Sequence, residues 1–162
     1  MTSAVQIPDG EDLMGGSITT TVREMTLADA DRVAVLAGEL GYPSTRAQIE
    51  ARFREIEGSN DSKVIVAVDD VGEVVGWVHL FCLPLIVSGT YVEVGGLVVD
   101  SRFRSRGIGR ALMAAAEAWT LERGFKQLML RSNTIRTEAH QFYKDLGYTI
   151  VKSQHKFQKL LG

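Results

Sequence analysis

The stretch that decides the fold reads Leu97-Val98-Val99-Asp100-Ser101-Arg102-Phe103-Arg104-Ser105-Arg106-Gly107-Ile108-Gly109-Arg110. An apolar strand leads into an arginine-rich loop, and two glycines then begin a helix. No acidic residue occurs between Asp100 and Glu117. Glycine lets the backbone approach a ligand closely, and the first turn of a helix presents unpaired N–H groups to an anion. Since arginine also suits phosphate, this helix start is predicted to hold a pyrophosphate.

Two common phosphate-binding motifs do not fit this stretch. A Walker A motif requires a lysine directly after its last glycine, and neither Gly107 nor Gly109 is followed by one. A dinucleotide fingerprint requires a third glycine where Leu112 stands. Nucleotide hydrolysis and hydride transfer are therefore disfavoured.

Length and composition indicate one globular domain. The chain has 162 residues, 45% of them hydrophobic, and a formal net charge of −2. At roughly 100–200 residues per domain, this is a single core with a short tail. The near-neutral charge disfavours a nucleic-acid partner. The single cysteine, Cys82, permits no internal disulfide, sits in an apolar strand and is interpreted as a core residue. The spacing of His79, His140 and His155 does not suggest a metal site.

The first 17 residues differ from the rest. Residues 1–17 contain Pro8, three glycines and three acids, and they are interpreted as a flexible leader before a domain at 18–162. They contain no apolar run long enough for a secretory signal, and no window of the chain resembles a membrane helix. A reducing, cytoplasmic setting is therefore expected.

Changes of periodicity along the chain predict an α/β fold with the order β-α-α-β-β-β-α-β-α-β. The predicted strands are 18–23, 63–68, 73–83, 91–99, 127–131 and a last strand region at 148–160, and the predicted helices are 27–40, 45–57, 107–123 and 136–146. Thr45 and Gln48 have the spacing of a capping box. The Gly95-Gly96 pair inside a strand predicts a bulge or a close backbone approach.

Two blocks of this sequence resemble a known family. The loop Arg104-Ser105-Arg106-Gly107-Ile108-Gly109 has the form Arg/Gln-x-x-Gly-x-Gly/Ala. Downstream come Arg131-Ser132-Asn133, Ala139-His140-Gln141-Phe142-Tyr143 and Leu146-Gly147-Tyr148. Together they resemble the GCN5-related N-acetyltransferases, the GNAT superfamily, over roughly residues 18–160. The resemblance implies a mostly antiparallel central sheet with a splayed parallel strand pair, flanked by about four helices.

The resemblance also implies acetyl-CoA as co-substrate. The pantetheine arm would pair with exposed backbone in the gap beside the splayed strand, and loop N–H groups would hold the pyrophosphate. The implied cofactor-binding residues are Leu97, Val98, Val99, Arg104, Ser105, Arg106, Gly107, Ile108, Gly109, Arg110, Asn133, Ala139 and Tyr143.

Tyr143 matches the tyrosine to which the family assigns protonation of the departing CoA thiolate. Glu93 is the candidate general base, because it lies four residues before Leu97 and strand alternation would place the two side chains on one face. Many relatives carry an acid where this chain has Gly95. His79, His140 and water therefore remain alternative bases.

The implied function is acetyl transfer from acetyl-CoA directly to a primary amine, without an acyl-enzyme. A small amine such as an aminoglycoside is favoured as acceptor, and Glu39, Glu50 and Glu93 could attract it. The alternatives are a protein or peptide amine acetyltransferase, a non-catalytic CoA-binding sensor, and a nucleic-acid partner using the arginine loop. The apolar run at 81–87 suggests a homodimer.

Overall fold

The structure, a computed structural model, describes residues 5–7 and 19–162. The described chain forms two compact units, one ending at Leu130 and the other spanning Arg131–Gly162. Most of the predicted leader lies outside the described residues. Its described part, Val5–Ile7, pairs antiparallel with the next strand and so belongs to the sheet.

The first unit contains a mixed sheet of six described strands in sequential order. The strands are β1 (Val5–Ile7), β2 (Thr20–Glu24), β3 (Ser62–Val68), β4 (Val74–Leu85), β5 (Gly89–Val99) and β6 (Leu128–Leu130). Neighbours run antiparallel except β5 and β6, which are parallel. The predicted mostly antiparallel sheet with one parallel pair is confirmed.

The described residues contain four α-helices, as predicted. They are α1 (Ala30–Leu40), α2 (Arg46–Ile56), α3 (Ile108–Glu122) and α4 (Thr137–Asp145). The capping box before α2 is confirmed: Gln48 N–H donates to Thr45 Oγ1, and Thr45 N–H donates to Gln48 Oε1. None of the helices in the described part of the chain is long and apolar enough to cross a membrane.

Helices cover both faces of the first unit's sheet. On one face α1 and α2 form the core with the strands; its buried residues are Met25, Ala30, Val33, Leu36, Phe53, Val66, Val68, Val74 and Val98. On the other face α3 lies against Gly76, where a Cβ atom would come within 3.2 Å of Leu112. The loop before α3 is thereby held at the end of β5.

The predicted bulge in β5 is confirmed at Gly95. His79 pairs with Gly96 and Leu80 pairs with Val94, so Gly95 has no direct partner on β4. A Cβ atom on Gly96 would lie 3.0 Å from the Trp77 ring. The first glycine accommodates the extra residue, and the second lets an indole ring lie on the strand.

The predicted last strand at 148–160 is wrong. Residues 149–162 have no regular secondary structure in this structure and are exposed throughout. Apolar residues such as Ile150, Val151 and Phe157 gave this segment its strand-like composition. A strand also requires a neighbouring strand whose main-chain groups pair with its own. In the structure no strand pairs with this segment.

Candidate active site

The loop before α3 presents main-chain N–H groups at the helix start. Gly107 is left-handed with φ 78° and is the N-cap of α3, and Ser105 is also left-handed, with φ 63°. The first α-helical bond runs from Ala111 N–H to Gly107 O at 3.0 Å, so the N–H groups before Ala111 lack helical acceptors. Successive N–H groups around left-handed residues form a concave anion site.

A buried carboxylate anchors the beginning of this loop. Asp100, at the end of β5, is 1% exposed. Its Oδ2 atom accepts from Arg102 Nη2 at 2.7 Å and from Arg32 Nη2 at 2.8 Å, and its Oδ1 atom accepts from Arg102 N–H at 2.9 Å. Arg32 Nε also lies 2.9 Å from Glu73 on the β3–β4 turn. We call Arg32, Glu73, Asp100 and Arg102 the Asp100 network.

The Asp100 network sets the charge of its carboxylate. Hydrogen bonds from Arg102, opposed by burial and supported by Arg32, hold the pKa of the Asp100 carboxyl well below its usual range. The carboxylate therefore stays ionised, and it ties α1, the β3–β4 turn and the loop together.

The loop is less positively charged than its sequence suggests. Arg102 is neutralised by Asp100, and Arg104 Nη2 lies 4.0 Å from Glu39 of α1. Glu39 Oε2 also accepts from Ser101 N–H at 3.0 Å. Sequence reasoning missed Arg32 and Glu73 because they lie far from the loop along the chain. It named Glu39 as an acid for the acceptor amine and not as a partner of the loop. The absence of acids between Asp100 and Glu117 in the sequence therefore does not leave Arg102 and Arg104 without acidic partners in the folded protein.

Beyond its short pairing with β6, strand β5 has an open edge. The parallel pairing covers only Val92–Val94 of β5 and Leu128–Leu130 of β6, and β5 then continues to Val99. In the described part of the chain, residues 95–99 have no strand partner on that side. Leu97, Val98 and Val99 lie on this edge, with the Val98 side chain in the core. The resemblance to the GNAT superfamily implies a gap for a pantetheine arm beside this strand.

The bulge changes which way Glu93 points. Residues directly opposite on antiparallel strands share a face, and Glu93 is opposite Phe81 while Gly96 is opposite His79. Phe81 and His79 lie on one face, with ring centroids 5.9 Å apart. Glu93 therefore shares a face with Gly96 and not with Leu97, so the same-face prediction is wrong. The extra residue Gly95 shifts the alternation.

His79 belongs to the same face as Glu93. Its Nε2 atom lies 2.9 Å from Ser62 Oγ on β3. Burial lowers the pKa of the His79 imidazole below its ordinary value, which favours the neutral ring.

The second unit holds the downstream motif residues. Asn133 is exposed, and its Oδ1 atom accepts from Ile135 N–H at 3.2 Å. His140 Nε2 lies 3.0 Å from the Asn133 carbonyl oxygen, so this histidine braces the turn that carries Asn133.

Ala139 and Tyr143 lie one turn apart on α4, and both are half-buried. The Tyr143 ring contacts Phe142 and Tyr148, with centroids 5.2 Å and 6.1 Å away. Burial raises the pKa of the Tyr143 hydroxyl, so the phenol keeps its proton to higher pH.

No group of three or more histidine, cysteine or acidic side chains placed to hold a metal ion occurs among the described residues. Cys82 is half-buried on β4.

Asp100→Asn is expected to lower the free energy of unfolding at pH 7 by about 2 kcal/mol. Breaking a fully buried pair costs roughly 3–5 kcal/mol, but Arg32 and Arg102 are partly exposed and can turn to water. Because the Asp100 pKa is lowered in the folded state, its contribution is complete above the ordinary carboxyl pKa of 3.8 and is lost as pH falls below it. Urea unfolding at pH 7 and pH 3 measures both effects.

Asp70→Asn is the matched control, because Asp70 is an exposed carboxylate on the β3–β4 turn. It should change stability by less than about 0.5 kcal/mol. Equal stabilities for the two variants at pH 7 would contradict the anchoring role of Asp100.

Comparison with known proteins identifies the family. The model of the acetyltransferase (GNAT) family matches residues 32–148. Aminoglycoside N(6')-acetyltransferase type 1 of Stenotrophomonas maltophilia is 28% identical over 132 residues, which are 79% of this chain and 85% of that protein.

Two solved structures have a similar fold. Glucosamine-6-phosphate N-acetyltransferase from Arabidopsis thaliana has a TM-score of 0.75 at 20% identity, covering 86% of this chain and 97% of that one. AAC(6')-Iy in complex with the bisubstrate analog CoA-S-monomethyl-acetylneamine has a TM-score of 0.78 at 20% identity, covering 88% of this chain and 99% of that one. Since the family model spans more than half of the chain, the protein belongs to the GNAT family of acetyltransferases.

Proposed function

We propose that the protein transfers an acetyl group from acetyl-CoA to a primary amine of a small molecule, an aminoglycoside or a similar amine, without an acyl-enzyme. The observation that carries this proposal is the left-handed loop at the start of α3, whose N–H groups suit a pyrophosphate.

The open edge of β5 supports acetyl-CoA as the co-substrate. The β5 main chain from Gly95 to Val99 has no strand partner on its β6 side within the described residues. The loop at Arg104–Arg110 follows after four intervening residues in the chain. A ligand with an amide-bearing arm and a pyrophosphate matches this order of backbone edge and anion site. Asn133, Ala139 and Tyr143 are proposed as cofactor contacts on the resemblance of their motifs to the family.

The proposed reaction is a direct displacement. The ammonium loses one proton, and the lone pair of the neutral amine attacks the thioester carbonyl carbon. The carbon–sulfur bond then breaks, and the nitrogen loses its second proton as it becomes the amide. Tyr143 is the proposed acid that returns a proton to the sulfur, which suits a phenol whose raised pKa keeps it protonated. The candidate acceptors of the proton that the amine loses before its attack are Glu93, a histidine and water.

The proposed acceptor rests on the 28% identical relative rather than on the acids of the sequence. Glu50 Oε1 binds Arg46 Nε at 2.7 Å, and Glu39 is engaged with Ser101. Both carboxylates are therefore committed to the protein's own groups. Glu93 is 7% exposed, so only a deeply inserted amine would reach it.

The cytoplasmic setting and the homodimer remain proposals. The β4–β5 turn carries exposed Ile86 and Val87, which would suit contact with a second copy.

Gly107→Ala is expected to weaken acetyl-CoA binding roughly tenfold, which corresponds to about 1.4 kcal/mol. A left-handed φ strains any residue with a Cβ atom, so the loop must move away from the geometry that presents its N–H groups. Isothermal titration with acetyl-CoA measures the change.

Gly124→Ala is its matched control, because Gly124 has φ 81° beyond the other end of α3. Both variants should lose similar stability, whereas Gly124→Ala should keep the wild-type affinity. If both variants bound acetyl-CoA with equal affinity, the loop would not be part of the binding site.

Tyr143→Phe is expected to lower kcat by roughly 10²-fold and to remove the alkaline fall in kcat, because the proton donor is lost. In the wild type that fall should lie above the ordinary tyrosine pKa of 10.0, since burial raises the pKa. Tyr148→Phe, which alters a ring next to Tyr143, serves as control and should keep turnover. Unchanged turnover and pH profile in Tyr143→Phe would show that this residue is not the acid.

An acceptor screen separates the remaining alternatives. Incubation with acetyl-CoA and a panel of aminoglycosides, polyamines and peptides should add one acetyl mass to an aminoglycoside carrying a free 6′-amine. Transfer only to peptides would indicate a protein acetyltransferase. Acetyl-CoA binding without any transfer would indicate a CoA sensor, and salt-dependent DNA binding that CoA does not displace would indicate a nucleic-acid partner.

A further inference from the structure

We propose that His79 is the residue that removes the proton from the acceptor amine, using its Nδ1 atom above the Gly95 bulge of β5. This inference rests on the proposed acetyl transfer, and it selects one of the bases that the sequence left open. It is carried by the hydrogen bond between the His79 ring and Ser62 and by the space that Gly95 leaves beside the ring.

The two contacts of the Ser62 hydroxyl indicate which ring nitrogen carries the proton. The Ser62 hydroxyl donates to the Leu80 carbonyl oxygen at 3.2 Å, and its oxygen lies 2.9 Å from His79 Nε2. A hydroxyl has one proton, so when it is donated to Leu80 the oxygen accepts from the ring. His79 is then the Nε2–H tautomer, and Nδ1 carries a lone pair.

The lone pair on Nδ1 faces a position without a side chain. A Cβ atom on Gly95 would lie 3.1 Å from Nδ1 and 3.2 Å from Phe81 Cε1. Gly95 itself is exposed, whereas His79 is half-buried. Among the described residues no hydrogen bond to Nδ1 is found. The His79 ring on β4 therefore lies beside Gly95 on β5, the position where many relatives carry an acid.

Glu93 shares this face but is less suitable as the first proton acceptor. It lies opposite Phe81, beyond the bulge, and it is 7% exposed. His79 Nδ1, by contrast, lies beside the exposed residue Gly95.

The other ionisable groups on the strands and helix beside His79 are engaged elsewhere. Lys63 on β3 binds Glu24, and Glu39 on α1 binds Ser101. Glu93 on β5 is an ionisable group of the neighbouring strand that faces the same side.

The proton balance of the step is simple. An ammonium gives one proton to Nδ1 and becomes the neutral amine whose lone pair forms the new carbon–nitrogen bond. The attacking nitrogen loses a second proton as it becomes the amide and the carbon–sulfur bond breaks. The sulfur takes a proton from its own donor, and the second nitrogen proton replaces it on that donor. His79 then releases its proton to water. Because burial lowers the His79 pKa, the ring is already neutral at pH 7 and can accept a proton.

His79→Gln is the decisive variant, because its amide can still bond to Ser62 but cannot accept a proton in this pH range. We expect kcat to fall about 10²-fold with an aminoglycoside acceptor, with unchanged acetyl-CoA affinity. In the wild type kcat should fall on the acid side, below the ordinary histidine pKa of 6.5, and His79→Gln should lack this fall. His155→Gln, an exposed histidine, is the control and should behave as wild type.

Glu93→Gln separates the two bases. If Glu93→Gln loses the acid-side fall while His79→Gln keeps both the fall and kcat, the proposal is overturned. Wild-type protein that neither binds acetyl-CoA nor acetylates an amine would instead refute the proposed function.

Nitrogen-15 NMR of the wild-type histidines tests the tautomer without any variant. It therefore remains informative if His79→Gln folds poorly. The spectrum should show neutral His79 protonated at Nε2, with a midpoint below 6.5. Protonation at Nδ1 in the neutral ring would overturn the proposal.

Discussion

The ion pair between Asp100 and its two arginines is the interaction on which the rest of the site depends. Asp100 closes β5 and opens the loop, Arg32 belongs to α1, and Arg102 belongs to the loop itself. A nearly buried carboxylate between two guanidiniums strongly favours one arrangement of these elements, because a separated charge would lose its partners in a water-poor site. The start of α3 therefore occupies one position relative to the sheet. An anion site built from main-chain N–H groups needs such fixation, since its geometry is set by backbone position alone.

The bulge at Gly95 has a second organising effect. Without it, Glu93 and Leu97 would point to the same side of the sheet. With it, Glu93 joins His79 and Phe81 on the face shared with Gly96. One extra residue thus places the ionisable groups of two strands on one side of the sheet.

Local patterns in the sequence predicted most of the fold. The Thr45 and Gln48 capping box, the glycine pair in β5 and the helix start at Gly107 each depend on neighbours in the chain, and each is present as expected. Three expectations were wrong because they depend on distant residues or on register. Arg102 and Arg104 are compensated by acids from other elements, Glu93 follows a shifted alternation, and the segment after Tyr148 lacks a strand partner. The roles of Tyr143, Asn133 and Glu93 stay predictions, since chemistry is not visible in a fold.

The three-residue pairing of β6 has a consequence for solubility. A strand that extends beyond its neighbour exposes unpaired main-chain donors and acceptors, which can pair with another extended chain and begin aggregation. The sequence counteracts this hazard at the same place, because a bulge distorts the edge and consecutive glycines have low strand propensity. A bound ligand that pairs with this edge would complete the sheet. In that case the protein would resist aggregation best when its binding site is occupied.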